Sequence, residues 1–88
     1  MKARLMKNNL SIVNIEKIDE SNIFKVTCLV DNEEREYQIK FEGIGASIPG
    51  ELEDITTQSL KRSWKFGEII FAFYQGEHLV FPIDLNNL

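Results

Sequence analysis

With 88 residues the chain is expected to form one domain over 1–88 around one hydrophobic core, and folding should bury only about 60–65 % of the surface the unfolded chain exposes. Fourteen acidic residues against ten basic ones give a formal net charge of −4, which opposes unspecific attraction to nucleic acid or anionic lipid. A single cysteine, Cys28, and a single histidine, His78, exclude an internal disulfide and a closed Cys/His zinc site, so neither metal nor cofactor is expected.

Lys2, Arg4 and Lys7 imitate the basic start of a signal peptide, but Ser11, Asn14 and Glu16 interrupt the apolar run that follows. No stretch approaches the roughly 18 uninterrupted apolar residues of a membrane helix, so the expectation is a soluble, cytoplasmic protein without a membrane partner. The termini, 1–8 and 86–88, are candidates for disorder.

Leu10, Ile12, Val13, Ile15 and Ile18 mark a first strand whose alternation shifts once, as a bulge would make it. Asp19-Glu20-Ser21-Asn22 reads as a turn. Ile23 to Val30 follows, with Phe24, Val26, Cys28 and Val30 on one face and Ile23, Lys25, Thr27 and Leu29 on the other. After the polar turn Asp31-Asn32-Glu33-Glu34, the residues Tyr37, Ile39 and Phe41 alternate with Glu36, Gln38 and Lys40. Three such runs predict an antiparallel three-stranded meander.

Gly43 to Ser47 breaks the period, and Pro49 with Glu51 shortly after it predicts a helix start. The helix is expected to run to about Lys65, with Glu51, Glu53 and Asp54 at its positive end, Lys61, Arg62 and Lys65 at its negative end and Gly67 as its stop. Glu68 to Tyr74 reads as a strand apolar on both faces, Ile69, Phe71 and Phe73 on one and Ile70, Ala72 and Tyr74 on the other. Gln75-Gly76-Glu77 reads as a hairpin turn and His78 to Ile83 as a last strand, held to an edge by Pro82. The expected fold is therefore α+β with the order βββαββ, a curled sheet or partly open barrel packed on one helix. The oligonucleotide-binding barrel shares that order, by analogy of superfold alone.

The stretch Gly43 to Gly50 lies between strand and helix, where phosphate-cradling loops occur. Position 48 is Ile where a dinucleotide fingerprint needs its third glycine, and the Lys-Ser/Thr pair of a P-loop is absent. It reads as a connector. The acidic clusters at 31–36 and 51–54 lack the alternating carboxylates and central glycine of a calcium loop. Cys28 alternates with Phe24 and Val26, which predicts a buried thiol, and no nucleophile is placed beside His78 by the sequence, so no enzyme is expected.

Lys61, Arg62, Trp64, Lys65 and Phe66 interleave cations and rings as a nucleic-acid stacking patch does, although a helix C-terminus attracts cations on its own account. Two strands apolar on both faces, set against one helix, leave a sheet surface in need of cover. The leading expectation is a non-enzymatic protein-interaction module or accessory subunit that binds a protein partner or a second copy of itself through Ile70 and Tyr74. The alternative is a nucleic-acid-binding, barrel-like domain using the cation and ring patch.

Overall fold

The structure, a computed structural model, describes residues 7–18, 20, 22–42 and 45–87. It is α+β: a curled, five-stranded antiparallel half-barrel whose apolar face carries two helices. Strands β1 (Leu10–Lys17), β2 (Ile23–Val30) and β3 (Glu33–Glu42) form the expected meander. Alternation turns Phe24, Val26, Cys28 and Val30 of β2 and Tyr37, Ile39 and Phe41 of β3 into a shared core. The β1–β2 register slips between Ile12 and Asn14, which returns Ile15 to the core after Leu10 and Ile12 and realises the irregular alternation as a bulge. Asp31 and Asn32, at φ 52° and 68°, supply the two left-handed residues of a tight hairpin turn, a conformation Asn and Asp tolerate better than most side chains.

The opposite face of the meander is wet. Lys25 lies 3.8 Å from both Glu16 and Glu36, while Gln38 and Lys40 are exposed. Ile23 pairs with Lys40 and Leu29 with Glu34, so the apolar residues on this side of β2 are half-buried among long polar neighbours. That face does not form the bare apolar surface anticipated from β2.

Strand β4 (Gly45–Ser47) pairs with β3, and β5 (Ile83–Asp84) pairs with β1, giving the order β4-β3-β2-β1-β5 with an edge at each end. The described sheet thus stays open. Helix α1 (Gly50–Thr56) begins immediately after Pro49, as expected, but ends before Thr57. Helix α2 (Leu60–Tyr74) then starts anew, capped by Ser59, whose Oγ accepts the Arg62 N–H at 3.0 Å.

Two helices therefore replace the single one, and Glu68 to Tyr74 is helical rather than a strand. Phe66, Ile69, Ile70 and Phe73 recur at helical intervals, and packing that stripe on the sheet outweighs the strand preference of the sequence Ile-Ile-Phe-Ala-Phe-Tyr. Gly67 lies inside α2 and stops nothing. The stop is Gly76 at φ +87°: its N–H reaches the Phe73 carbonyl and the Glu77 N–H reaches that of Ala72, each at 3.0 Å, a helix-closing motif where a hairpin turn was expected. Residues 77–82 form no helix or strand, and the last strand shrinks to β5, with Pro82 just before it.

Residues 19, 21, 43 and 44 of the expected turn and connector, and 1–6 and 88 of the termini, lie outside the described residues. Asn8 and Asn86, from the candidate disordered ends, are both tied down: the Asn8 N–H donates to Gln58 Oε1 at 2.7 Å, and Asn86 Oδ1 accepts the Leu10 N–H at 2.6 Å. Among the described residues no helix is long and apolar enough to cross a membrane.

Candidate interaction surface

Helix α2 presents two unlike faces. Its inner face buries Phe66, Ile69 and Ile70 against the sheet, and Phe73 meets Phe24 edge to face at 5.6 Å. Arg62 is also inside, 2 % exposed, and among the described residues its direct partners are neutral oxygens. Its Nε donates to the Leu85 carbonyl at 3.1 Å and its Nη1 to the Ile55 carbonyl at 3.2 Å. Loss of water pulls the guanidinium below its ordinary pKa, and the charges of Asp31 and Asp84 oppose that. The arginine clamps the end of α1 and the C-terminal segment onto α2, a structural role that satisfies buried carbonyls.

The outer face carries Leu60 (74 % exposed), Trp64 (71 %), Phe71 (52 %) and Tyr74 (43 %). With Gly67 they follow one another at intervals of four, three, four and three residues, a straight stripe along the helix. Lys61, Lys65 and Glu68 border its first half. Tyr74 stacks on Phe41 with centroids 4.4 Å apart and planes at 23°, and it meets Phe24 edge on at 6.0 Å. Phe71 lies over Tyr74 at 6.4 Å. The second half of the stripe is thus fixed to the sheet through an aromatic ladder.

Gly67 interrupts the stripe at its middle. Among the described residues a Cβ built there would meet nothing within 4 Å, and the space beside it is a groove lined by Phe41, Gly45, Ala46 and Ile48. An interior helical glycine costs ~1 kcal/mol relative to alanine.

The structure divides the residues singled out from the sequence. Lys61, Trp64 and Lys65 are brought together on the surface, while Arg62 and Phe66 are withdrawn into the interior, so the expected cation and ring patch is halved. Ile70 is 3 % exposed and belongs to the core, whereas Tyr74 stays accessible; the two do not share a sheet face. Leu60 and Phe71 were missed as surface residues. Their helical spacing with Trp64 is legible once 68–74 is read as helix, but the assignment of Gly67 as a stop hid it.

The remaining chemistry-bearing groups are structural or dispersed. Cys28 is fully buried, and burial pushes its thiol up to about 12. The Glu51 carboxylate accepts from the Tyr37 hydroxyl and, at 2.7 Å, from Arg35, which together hold it below the usual carboxylate range and fasten the start of α1 to β3. Among the described residues no group of three His, Cys, Asp or Glu side chains is set to hold a metal ion. His78 is exposed. In comparisons with known proteins, no family model, no curated protein and no solved structure matches this chain.

Proposed function

We propose that this chain is a non-enzymatic protein-interaction module that docks its partner through the outer face of α2. One observation carries the reading: Leu60, Trp64, Phe71 and Tyr74 stand in line and exposed along α2, beside the face that the helix packs on the sheet. Large apolar side chains in one contiguous stripe mark interaction surfaces, where scattered single ones do not. Burying one such side chain is worth about 1.5–3 kcal/mol, and Trp and Tyr are among the residues that dominate binding energy at interfaces. The ladder through Phe41 and Phe24 holds Tyr74 in place before any partner arrives, which lowers the ordering cost of association. The docking role anticipated for Ile70 passes in this reading to Trp64 and Phe71, while Tyr74 keeps its own.

The test is a photo-crosslinking amino acid placed at Trp64 in the cell, with Gln38 on the opposite, polar face of β3 as control. A discrete protein adduct from position 64 and none from position 38 is the expected result. Equal labelling from both positions, or none from 64, would overturn the reading.

A further inference from the structure

We infer that residues 69–74, the second half of α2, are a latent strand that pairs with the same segment of other copies in a cross-β assembly once their packing on the sheet is lost. Composition, the contacts that hold the helix and the flanking charges each point there, independently of what docks on the outer face.

Composition is the first. Ile69-Ile70-Phe71-Ala72-Phe73-Tyr74 is the longest uninterrupted apolar run in the chain and contains no charge, glycine or proline. Runs of about six residues of this kind, rich in β-branched and aromatic side chains, are the signature of segments that stack as identical strands. Extended, the run puts Ile69, Phe71 and Phe73 on one side and Ile70, Ala72 and Tyr74 on the other. Both faces of a stacked sheet are then apolar and close dry against a second sheet. Stacking in register sets each ring over its own copy, which makes the same segment the fitting partner.

The contacts that keep the run helical come from elsewhere in the chain. Ile, Phe and Tyr are mediocre helix formers, and Gly67, just before them, is a poor one. Ile69 and Ile70 are buried on the sheet, and the Phe73 ring lies 5.6 Å from that of Phe24. Packing thus overrides local preference, and that preference returns when the packing opens. Leu10 to Ile15 is the instructive comparison. It is also uncharged, but Ser11 and Asn14 interrupt it, and it is already paired with β2 and, at Ser11 and Ile12, with β5.

Charge marks the borders. Lys65 and Glu68 precede the run and Glu77 follows it. In a stack of identical strands each of these would face its own kind, which confines pairing to the run between them.

The experiment uses the whole chain, held at the midpoint of its thermal unfolding and followed with an amyloid-binding dye, with fibre diffraction of the product. A dye signal after a lag and a reflection at about 4.7 Å are expected. Phe71→Lys and Leu60→Lys each add one positive charge at a position exposed in the folded helix, and each variant is held at its own midpoint. Phe71→Lys should lengthen the lag by about tenfold or more, whereas Leu60→Lys, outside the run, should leave it within about twofold. Protease digestion of the product should leave a protected core that includes residues 69–74. Absence of both dye signal and reflection in the unmodified chain would overturn the latent strand, as would equal effects of the two lysines or a protected core that excludes 69–74.

Discussion

Phe66 and Phe71 lie on the same helix, yet the first is 1 % exposed and the second 52 %. Around Phe66 the inner face of α2 has the composition of a core, with Ile69 and Ile70 pressed on the sheet and the buried Arg62 donating to the Leu85 and Ile55 carbonyls. Around Phe71 the outer face has comparably large apolar side chains and a glycine with nothing upon it. A helix apolar beyond the stripe it buries belongs between two surfaces. Folding supplies one of them. The difference between the faces separates what the chain needs in order to fold from what it offers once folded.

Core truncation should break the inner side of this comparison most severely. Phe66→Ala removes a nearly inaccessible ring, and a loss of about 3–5 kcal/mol in unfolding free energy is expected by denaturant titration. A change below 1 kcal/mol would mean that α2 is not anchored through this face. Arg62→Ala comes next, at about 1–3 kcal/mol, because the Ile55 and Leu85 carbonyls lose their buried donor. Gly67→Ala should act in the opposite direction on the monomer and stabilise it by ~1 kcal/mol, as an interior helical glycine with free space above it allows. Trp64→Lys should leave monomer stability within about 0.5 kcal/mol while reducing association, since the indole is a surface group. If Trp64→Lys unfolds the chain, the outer face is part of the core and the division into two faces is wrong.

Acid sensitivity should be the smallest effect, and it belongs to the frame around α2 rather than to either face. Asp31 is held below the usual carboxylate range first by the Asn9 backbone N–H and then by the Asn8 side chain, and Glu51 by Tyr37 and Arg35. Each binds its proton more weakly in the folded chain than in the unfolded one. Their contribution is therefore present in full above about pH 5 and is lost as pH falls through 4 toward their folded values. Thermal melts between pH 6 and 3 should show this decline, and Glu51→Gln should flatten it. An unchanged slope in that variant would count against the Glu51 junction as a source of the dependence.

The meander was legible because β1, β2 and β3 are specified by alternation and by polar turns, and even the bulge left its mark as a phase shift at Val13. Burial of Cys28 followed from the same alternation. The second half was not legible in the same way. Ile69 to Tyr74 is apolar at nearly every position, so a period of two and a period of 3.6 both fit it, and β-branched and aromatic residues tipped the reading toward strand. Gly67 resembles a terminator by residue type alone, since nothing in its φ requires glycine, whereas Gly76 at φ +87° does. Arg62 looked like a surface cation at a helix end. Only the break at Thr57–Ser59 turns it inward, and its carbonyl partners come from α1 and from the C-terminal segment, distances in sequence that no local pattern encodes.

The most direct test of the outer face as a docking surface uses the only tryptophan in the chain, which is Trp64 itself. Its fluorescence should be recorded while the purified chain is titrated with the protein captured by the crosslinker at position 64. The account predicts emission that shifts to shorter wavelength as the complex forms and saturates with it. Emission that stays at the wavelength of a solvated indole while the complex forms would contradict the outer face as the docking surface.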